Sequence, residues 1–202
     1  GASPRVSGLE ALRRAGLLRR GTSLVHGNHP ERGDAGRIAR AGAVVVHCPG
    51  THAFFERGRA PLAGMLRAGV VLALGTDSLA SNDDLDMYRE MALLRASHPA
   101  LSPAVVWSMA TVGAARALAW EGRVGVLRTG AWADFALIDC AGRSAAEVLD
   151  ALTSASASPL RVWVGGRRLG GPSPGSAPAL RRVRSAPLAR KRAASTQRRY
   201  RL

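Results

Sequence analysis

Two histidines and one aspartate occupy similar places in the sequence, each at the end of a short apolar run. His26 ends "TSLVH", His47 ends "AVVVH" and Asp77 ends "VVLALGTD". A neutral imidazole and a carboxylate together suit a divalent metal such as zinc, which lowers the pKa of a bound water to about 7. An aspartate at the metal can also take the proton that this water gives up. These residues therefore predict hydrolysis by an activated water.

The aspartate also has a simpler interpretation. Asp77 is followed by Ser78 and, further on, by Asn82, and these residue types are common in turns and helix caps. Taken alone, the stretch favours a turn, but three such strand ends in succession favour a functional cluster. A covalent nucleophile is not indicated, because Cys48 is near His47 only in sequence and the chain has no Gly-x-Ser-x-Gly elbow. It has no phosphate-binding P-loop either.

The apolar runs that carry these residues alternate with helical patterns. Helices are predicted over 8–18, 31–41 and 62–68, with a loop over 51–61. Because parallel strands need long crossover connections and are buried on both faces, this alternation predicts an α/β fold with a parallel sheet. Reactive groups of such folds lie at the carboxyl ends of the strands. His26, His47 and Asp77 are all expected there.

The second half of the chain changes character after Gly122. Helices are predicted over 83–98 and, with Ser102 as N-cap, over 102–120. Then come a strand over 133–138, a helix over 144–155 and a strand over 160–169 that turns at Gly165-Gly166. We therefore divide the chain into a first domain at 1–121, a small β-rich domain at 122–170 and a tail at 171–202.

The tail accounts for much of the formal net charge of +15. Residues 171–202 contain nine Lys or Arg and no acidic residue, and their abundance of Pro, Ser and Arg predicts disorder. Such charge can attract phosphate groups without sequence selectivity. Arginine-rich ends also arise when a reading frame runs on through GC-rich DNA, so we do not expect this tail to bind nucleic acid.

Composition narrows the protein class further. Of the 202 residues, 47% are hydrophobic, and no apolar run approaches the roughly 20 residues of a membrane-spanning helix. The two cysteines, Cys48 and Cys140, are far apart and predict neither a disulfide framework nor a zinc knuckle. We expect a soluble, cytoplasmic protein without a membrane partner.

Five segments of the sequence resemble the amidohydrolase superfamily, and within it the metal-dependent deaminases and chlorohydrolases. This subgroup includes S-adenosylhomocysteine, aminodeoxyfutalosine and guanine-type deaminases and the triazine hydrolases. The likeness covers about residues 8 to 170, and the third segment is the most specific. The segments are "LVHGNH", "VVHCPGTH", "APLAGMLRAGVVLALGTDSLASNDDLDMYREM", "MATVGAARALAW" and "GVLRTGAWADFALID".

The resemblance implies a role for each candidate residue. His26 would contact the attacking hydroxide and the substrate, and Asp77 would be a metal ligand and a proton shuttle. His47 would line the substrate pocket, and His52 stands where the family usually has Asn, which leaves the choice of substrate open. Ser81 and Asn82 are also assigned to substrate binding. The implied metal is zinc, with iron or manganese as alternatives, and the implied substrate is a small heterocycle.

The same resemblance predicts that the ligand set in this chain is incomplete. Family members carry a His-x-His pair and a further metal-binding His on earlier strands, and this sequence has no His-x-His. We therefore expect the C-terminal part of a (β/α)8 metal-dependent hydrolase barrel, strands six to eight, plus a partial small β domain. A missing N-terminal half or a second copy would complete the site. The alternative is an inactive truncation product, or an interaction protein that binds polyanions.

Overall fold

The computed structural model describes residues 6–140, 142–154 and 159–170, and it divides the chain into two units, Gly1–Leu169 and Gly170–Leu202. The tail predicted over 171–202 lies outside the described residues. The helices and strands of the described residues all belong to the first unit. In chain order they are α1 (Gly8–Arg14), β1 (Ser23–Val25), α2 (Asp34–Ala41), β2 (Val44–His47), α3 (Pro49–Phe54), α4 (Leu62–Arg67), β3 (Val71–Leu74), α5 (Met87–Ser97), α6 (Pro103–Ala110), α7 (Val112–Ala117), β4 (Phe135–Ile138), α8 (Ala145–Leu152), β5 (Pro159–Val164) and β6 (Arg167–Arg168).

The first three strands form a parallel sheet in the order β1-β2-β3. Helices connect each strand to the next, as the alternating pattern predicts, so the expected α/β fold with a parallel sheet is confirmed. In β2, Val44 and Val45 are buried, which suits a β-branched strand between two neighbours. In β1, Val25 stays exposed because no described strand pairs with the outer edge of this strand.

The helix boundaries follow local capping chemistry. Gly42 ends α2 with a left-handed φ of 68°, which a glycine adopts without steric cost. The Asp86 side chain accepts a hydrogen bond from the Tyr88 N–H at the start of α5. The Ser102 side chain likewise accepts from the Val105 N–H at the start of α6, so its prediction as an N-cap is confirmed.

Two predictions about helices are wrong. The segment predicted as a loop over 51–61 begins within α3, where Pro49 occupies the first turn and supplies a φ suited to a helix start. The single helix predicted over 102–120 is divided into α6 and α7 at Thr111, whose φ and ψ are −118° and −92°. This break lets α7 turn onto β3, where Gly113 lies against the carbonyl oxygen of Leu72.

A second, antiparallel sheet contains β4, β5 and β6 in that order. Phe135 of β4 lies opposite Trp163 of β5, and their rings stack with centroids 4.6 Å apart. Gly165 and Gly166 form the turn between β5 and β6 with positive φ values, as the sequence predicts. That this part of the chain is a partial small β domain remains a prediction.

The hydrophobic core lies where the helices pack on the parallel sheet. Its buried members come from the sheet and from several helices, so a layer of helices packs against the sheet around one core. None of the helices described by the structure is both long and apolar enough to cross a membrane. The buried core includes Ile38, Val45, Leu62, Met65, Leu72, Leu74, Met91, Leu94, Val106 and Met109.

Candidate functional site

The sheet brings the predicted residues to one edge. His26 follows the last residue of β1, His47 is the last residue of β2, and Asp77 follows β3 by three positions. Two backbone hydrogen bonds extend the pairing into this edge: His26 N–H donates to the Val46 oxygen, and Gly75 N–H donates to the His47 oxygen. The carboxyl ends of the strands therefore hold all three side chains on one side of the molecule.

His26 and Asp77 form the exposed part of this site. The Nε2 atom of His26 lies 3.5 Å from Oδ2 of Asp77, and each side chain is about one third exposed. Both residues have a left-handed backbone, with φ values of 71° and 58°. Such values are uncommon for residues other than glycine and often occur at functional sites.

Two hydroxyl groups hold the Asp77 carboxylate from the protein side. Thr51 Oγ1 donates to Oδ2 across 3.1 Å, and Ser81 Oγ donates to the same oxygen across 3.3 Å. The two hydroxyls also lie 3.1 Å from each other. Ser81, predicted to bind substrate, therefore contacts Asp77 itself. Thr51 is a site residue that the sequence analysis missed, although it lies between the two predicted residues His47 and His52.

His47 lies beneath the exposed pair and is 1% exposed. Burial, together with the neighbouring rings of His52, His98 and His26, lowers the pKa of His47 to about 3. Its ring is 4.4 Å from that of His52 and 5.8 Å from that of His98, centroid to centroid. At neutral pH the buried imidazole is therefore uncharged, and its Nδ1 atom has no hydrogen-bond partner among the described residues.

His52 connects the loop after β1 to α3. Its Nε2 atom is 2.5 Å from Oδ1 of Asn28, and its ring centroid is 6.5 Å from that of His26. Burial is the main cause that lowers the pKa of His52, and the charges of His26 and Arg57 act in the same direction. The structure thus places this side chain beside the exposed pair, and its assignment to substrate binding stays a prediction.

Asn82 lies behind the site, with its whole side-chain amide engaged by protein groups. Its Nδ2 atom donates to the Thr76 carbonyl oxygen across 2.8 Å and to Oε1 of Glu90 across 2.5 Å. Its Oδ1 atom accepts from Nη1 of Arg89 across 3.0 Å and from the Asp83 N–H across 3.0 Å. The structure therefore places Asn82 as a support of the turn that carries Asp77, and its assignment to substrate binding stays a prediction.

Glu90 is a second residue that the sequence analysis missed. This carboxylate in α5 is fully buried, and its Oε2 atom accepts from the Gly50 N–H across 2.8 Å. Burial raises the pKa of Glu90, while the hydrogen bonds from Gly50 and Asn82 act in the opposite direction. The sequence does contain a feature that points to Glu90: this acidic residue lies between Met87 and Leu94 on the apolar stripe of α5.

The donor set fits part of a metal shell. A catalytic zinc takes three protein ligands, and the residues that the structure describes contain no group of three or more His, Cys, Asp or Glu placed to hold a metal. Asp77 offers one carboxylate with a neighbouring imidazole, which is fewer donors than such a site needs. The incomplete ligand set expected from the sequence stays a prediction.

A groove in another part of the fold has a different lining. It occupies about 650 Å³ beside the start of β3, between α6, α7 and the segment 121–126. Its walls are mainly aliphatic, with Arg116 and Glu121 as charged residues and no imidazole. Hydrolytic chemistry needs groups that hold and move protons, so the candidate site is the His26–Asp77 edge and not this groove.

Comparisons with known proteins match most of the chain. A model of the amidohydrolase family matches residues 3–169. The 5-methylthioadenosine/S-adenosylhomocysteine deaminase of Halobacterium salinarum is 40% identical over 138 residues, which are 65% of this chain and 32% of the relative. The chain thus spans about a third of the length of the curated relatives that it matches.

Two solved structures of zinc-containing proteins are similar to the described fold. An adenosine deaminase from Xanthomonas campestris with bound zinc has a TM-score of 0.73 and 32% identity, over 79% of this chain and 39% of that protein. A mutant atrazine chlorohydrolase from Arthrobacter aurescens, complexed with zinc and atraton, has a TM-score of 0.68 and 27% identity, over 78% and 38%.

Proposed function

This chain belongs to the amidohydrolase family, and from that premise we propose that it takes part in the hydrolysis of a non-peptide carbon–nitrogen bond, namely the deamination of an amino-substituted heterocycle. One observation carries the proposal. An exposed carboxylate, Asp77, lies 3.5 Å from an exposed imidazole, His26, at the carboxyl edge of a parallel sheet. The similar deaminases and the zinc in two similar structures support it.

Asp77 has two roles in this proposal, as a metal ligand and as the group that takes up a proton. A divalent metal, zinc first and iron or manganese as alternatives, supplies a bound water of lowered pKa. Oδ2 of Asp77 is held by Thr51 and Ser81, whereas no described residue donates a hydrogen bond to Oδ1. The carboxylate is thus oriented from one side and open on the other.

His26 acts on the substrate side. Its Nε2 atom faces Asp77, and its ring is exposed enough to meet a ligand. An imidazole there can donate a hydrogen bond to the attacking oxygen or to a ring nitrogen of the substrate. With Nε2 unprotonated, it can instead accept the proton that the attacking water loses and then, as an imidazolium, pass that proton to the carboxylate. In this proposal the buried, uncharged imidazole of His47 and the adjacent ring of His52 line the bottom of the substrate pocket beside His26 and Asp77.

The substrate class follows from the relatives. Those described above are named for 5-methylthioadenosine and S-adenosylhomocysteine, for adenosine and for atrazine. We infer a nitrogen heterocycle with an amino group as the substrate, and adenosine-type compounds are the first to test. The family resemblance implies that His52 stands where relatives usually have Asn. We propose that His52, held by its contact with Asn28, separates this chain's substrate preference from theirs.

The remaining ligands and proton-transfer groups come, in this proposal, from polypeptide outside the described residues or from a second copy of this chain. The incomplete donor set supports this, and so does the chain's match to about a third of each relative's length. The architecture that fits is the arc of strands six to eight of a (β/α)8 barrel. A chain without that complement should bind metal weakly.

The first experiment measures zinc on the full chain. After removal of metal by a chelator and reloading, mass spectrometry gives the zinc content of wild type, Asp77→Ala and Asp83→Ala. Asp83 is a matched control, because its carboxylate belongs to the same loop but is 79% exposed and paired with Arg89. One zinc per assembled site that is lost only in Asp77→Ala would show that a second copy of this chain completes the ligand set. Zinc that is absent from the wild type as well is the result expected if polypeptide outside the described residues supplies the other ligands.

A chimera tests the reaction. The segment of the Halobacterium salinarum deaminase that this chain matches is replaced by this chain's residues, and ammonia release from 5-methylthioadenosine is measured. We expect turnover, with a loss of about 10² to 10⁴-fold for Asp77→Ala and none for Asp83→Ala. A folded chimera without turnover would favour the alternative, a non-catalytic interaction protein.

A further inference from the structure

The fully buried carboxylate of Glu90 joins the start of α3 to the loop after β3, and both of these segments reach Asp77. Its Oε2 atom accepts from the Gly50 N–H at the start of α3, across 2.8 Å. Its Oε1 atom accepts from Nδ2 of Asn82, across 2.5 Å, in the loop after β3. Gly50 and Asn82, which are 32 residues apart in sequence, therefore share one buried carboxyl group as a hydrogen-bond acceptor.

Each of these contacts leads to Asp77 in one further step. Gly50 precedes Thr51, whose hydroxyl donates to Oδ2 of Asp77 across 3.1 Å. Asn82 donates to the carbonyl oxygen of Thr76, the residue before Asp77, across 2.8 Å. One path holds the carboxylate by its side chain, and the other holds it by its backbone.

The chemistry of the contacts explains why a carboxylate is present in this position. Burying a charged group costs free energy unless hydrogen bonds compensate for it, and an apolar residue would pack in α5 at lower cost. A carboxylate is acceptor-only, and here each oxygen meets one N–H donor. A glutamine has one oxygen and one NH₂ group, so it would set a donor against either Gly50 or Asn82.

The space between Gly50 and the Glu90 carboxylate is too small for a side chain at position 50. A Cβ atom added to Gly50 would lie 2.5 Å from Oε1 of Glu90 and 2.5 Å from Oδ1 of Asn82, closer than real Cβ contacts. Gly50 therefore brings the α3 backbone against the Glu90 carboxylate because it has no side chain. Asp77 itself needs such support, since its φ of 58° is a conformation that an isolated chain disfavours.

From this geometry we infer that Glu90 is a positioning residue, whose two hydrogen bonds fix Thr51 and the Thr76–Asp77 backbone and thereby set the direction of the Asp77 carboxylate. The inference rests on the proposed function only in naming Asp77 as the reacting group. The arrangement of the loops around Asp77 can be measured without any turnover.

The test uses NMR on the full chain. The carboxyl ¹³C signal of Asp77 and the amide signals of Thr51 and Asp77 are compared in wild type, Glu90→Gln and Leu94→Ala. Leu94 lies one turn further along α5 and is equally buried, but its side chain has no polar atom and takes no part in the hydrogen bonds of Glu90 with Gly50 and Asn82, so it reports general loss of packing. We expect Glu90→Gln to move all three signals by more than a linewidth and Leu94→Ala to leave them in place.

Equal shifts in both variants, or unchanged signals in Glu90→Gln, would overturn the inference. If Glu90→Gln does not fold, Gly50→Ala perturbs the same contact from the other side and should move the same signals. Glu90→Asp, which keeps an acceptor-only group, should restore part of the wild-type spectrum. Failure of the zinc and ammonia measurements would reject the proposed reaction and leave this geometric result as it stands.

Discussion

The Nε2 atom of His26 lies 3.5 Å from the Asp77 carboxylate, although the strands that precede these two residues do not pair with each other. β2 separates β1 from β3, and neighbouring strands are about 4.8 Å apart. Both side chains must therefore extend towards each other across the carboxyl end of β2. Their left-handed backbones provide this direction, and they are two of four non-glycine residues with positive φ in the described ranges.

The backbone of Asp77 predicts an unusual order of stability for two substitutions. We expect Asp77→Gly to be more stable than Asp77→Ala by about 1 kcal/mol, because a Cβ in the left-handed region costs roughly that amount. Urea denaturation of the two variants measures the difference. At Asp83, whose φ is not positive, glycine should instead be the less stable variant by a few tenths of a kcal/mol. The same order at both positions would contradict the role of backbone strain.

The buried imidazole of His47 predicts loss of stability in acid. Its folded-state pKa of about 3 is below the ordinary value of 6.5, so the folded state disfavours the charged ring. The folded state keeps its full stability above pH 6.5, where the ring is neutral in both the folded and the unfolded chain. As the pH falls from 6.5 towards 3, the unfolded chain takes up a proton that the folded His47 refuses, and stability is lost. At about 1.4 kcal/mol per pKa unit the total loss is several kcal/mol.

The groups that face His47 are His52, His98 and His26, and all three oppose its protonation. Unfolding free energies measured between pH 7 and pH 3 should fall steeply for the wild type and less steeply for His47→Asn. His29→Asn is the control for loss of one imidazole, because His29 is exposed and lies outside the group of rings around His47. An identical slope in the wild type and in His47→Asn would show that other groups cause the acid sensitivity.

Two glycines in helices, Gly113 in α7 and Gly64 in α4, have different surroundings, and alanine should change the stability of the fold in opposite directions at these two positions. A Cβ at Gly113 would overlap the Leu72 carbonyl oxygen, so Gly113→Ala should destabilise the fold by about 1 to 3 kcal/mol. At Gly64, the only nearby atom is the end of the Arg67 side chain at 3.9 Å, and Gly64→Ala should stabilise α4 by up to about 1 kcal/mol. Thermal unfolding of the two variants checks the signs. Stabilisation by Gly113→Ala would mean that α7 does not pack on β3 as described.

Much of the fold could be predicted from the sequence because its signals are local. The runs before His26, His47 and Asp77 are apolar and bounded by glycines, and these are the features that separate buried strands from crossover helices. Parallel pairing then follows from the length of the connections. The helix α3 escapes prediction because it is short and because its start signal, Pro49, follows the predicted strand end at His47 after only one residue.

The site was only partly predictable because its supports are distant in sequence. Thr51 contacts Asp77 across 26 positions, and Glu90 contacts Gly50 across 40. No spacing rule relates such residues until the sheet places them together. Buried acids on an apolar helix stripe, like Glu90, are the pattern that would have drawn attention to this network.

The parallel sheet joins its strands in the order in which they occur along the chain, with Ser23 opposite Val44 and Val44 opposite Val71. During synthesis the earlier pair, β1 and β2, can therefore form before β3 leaves the ribosome, since contacts close in sequence form first. His26 is in place at that stage, whereas Asp77 is still within the exit tunnel. A nascent chain that stalls between these two points presents the His26 imidazole without the Asp77 carboxylate.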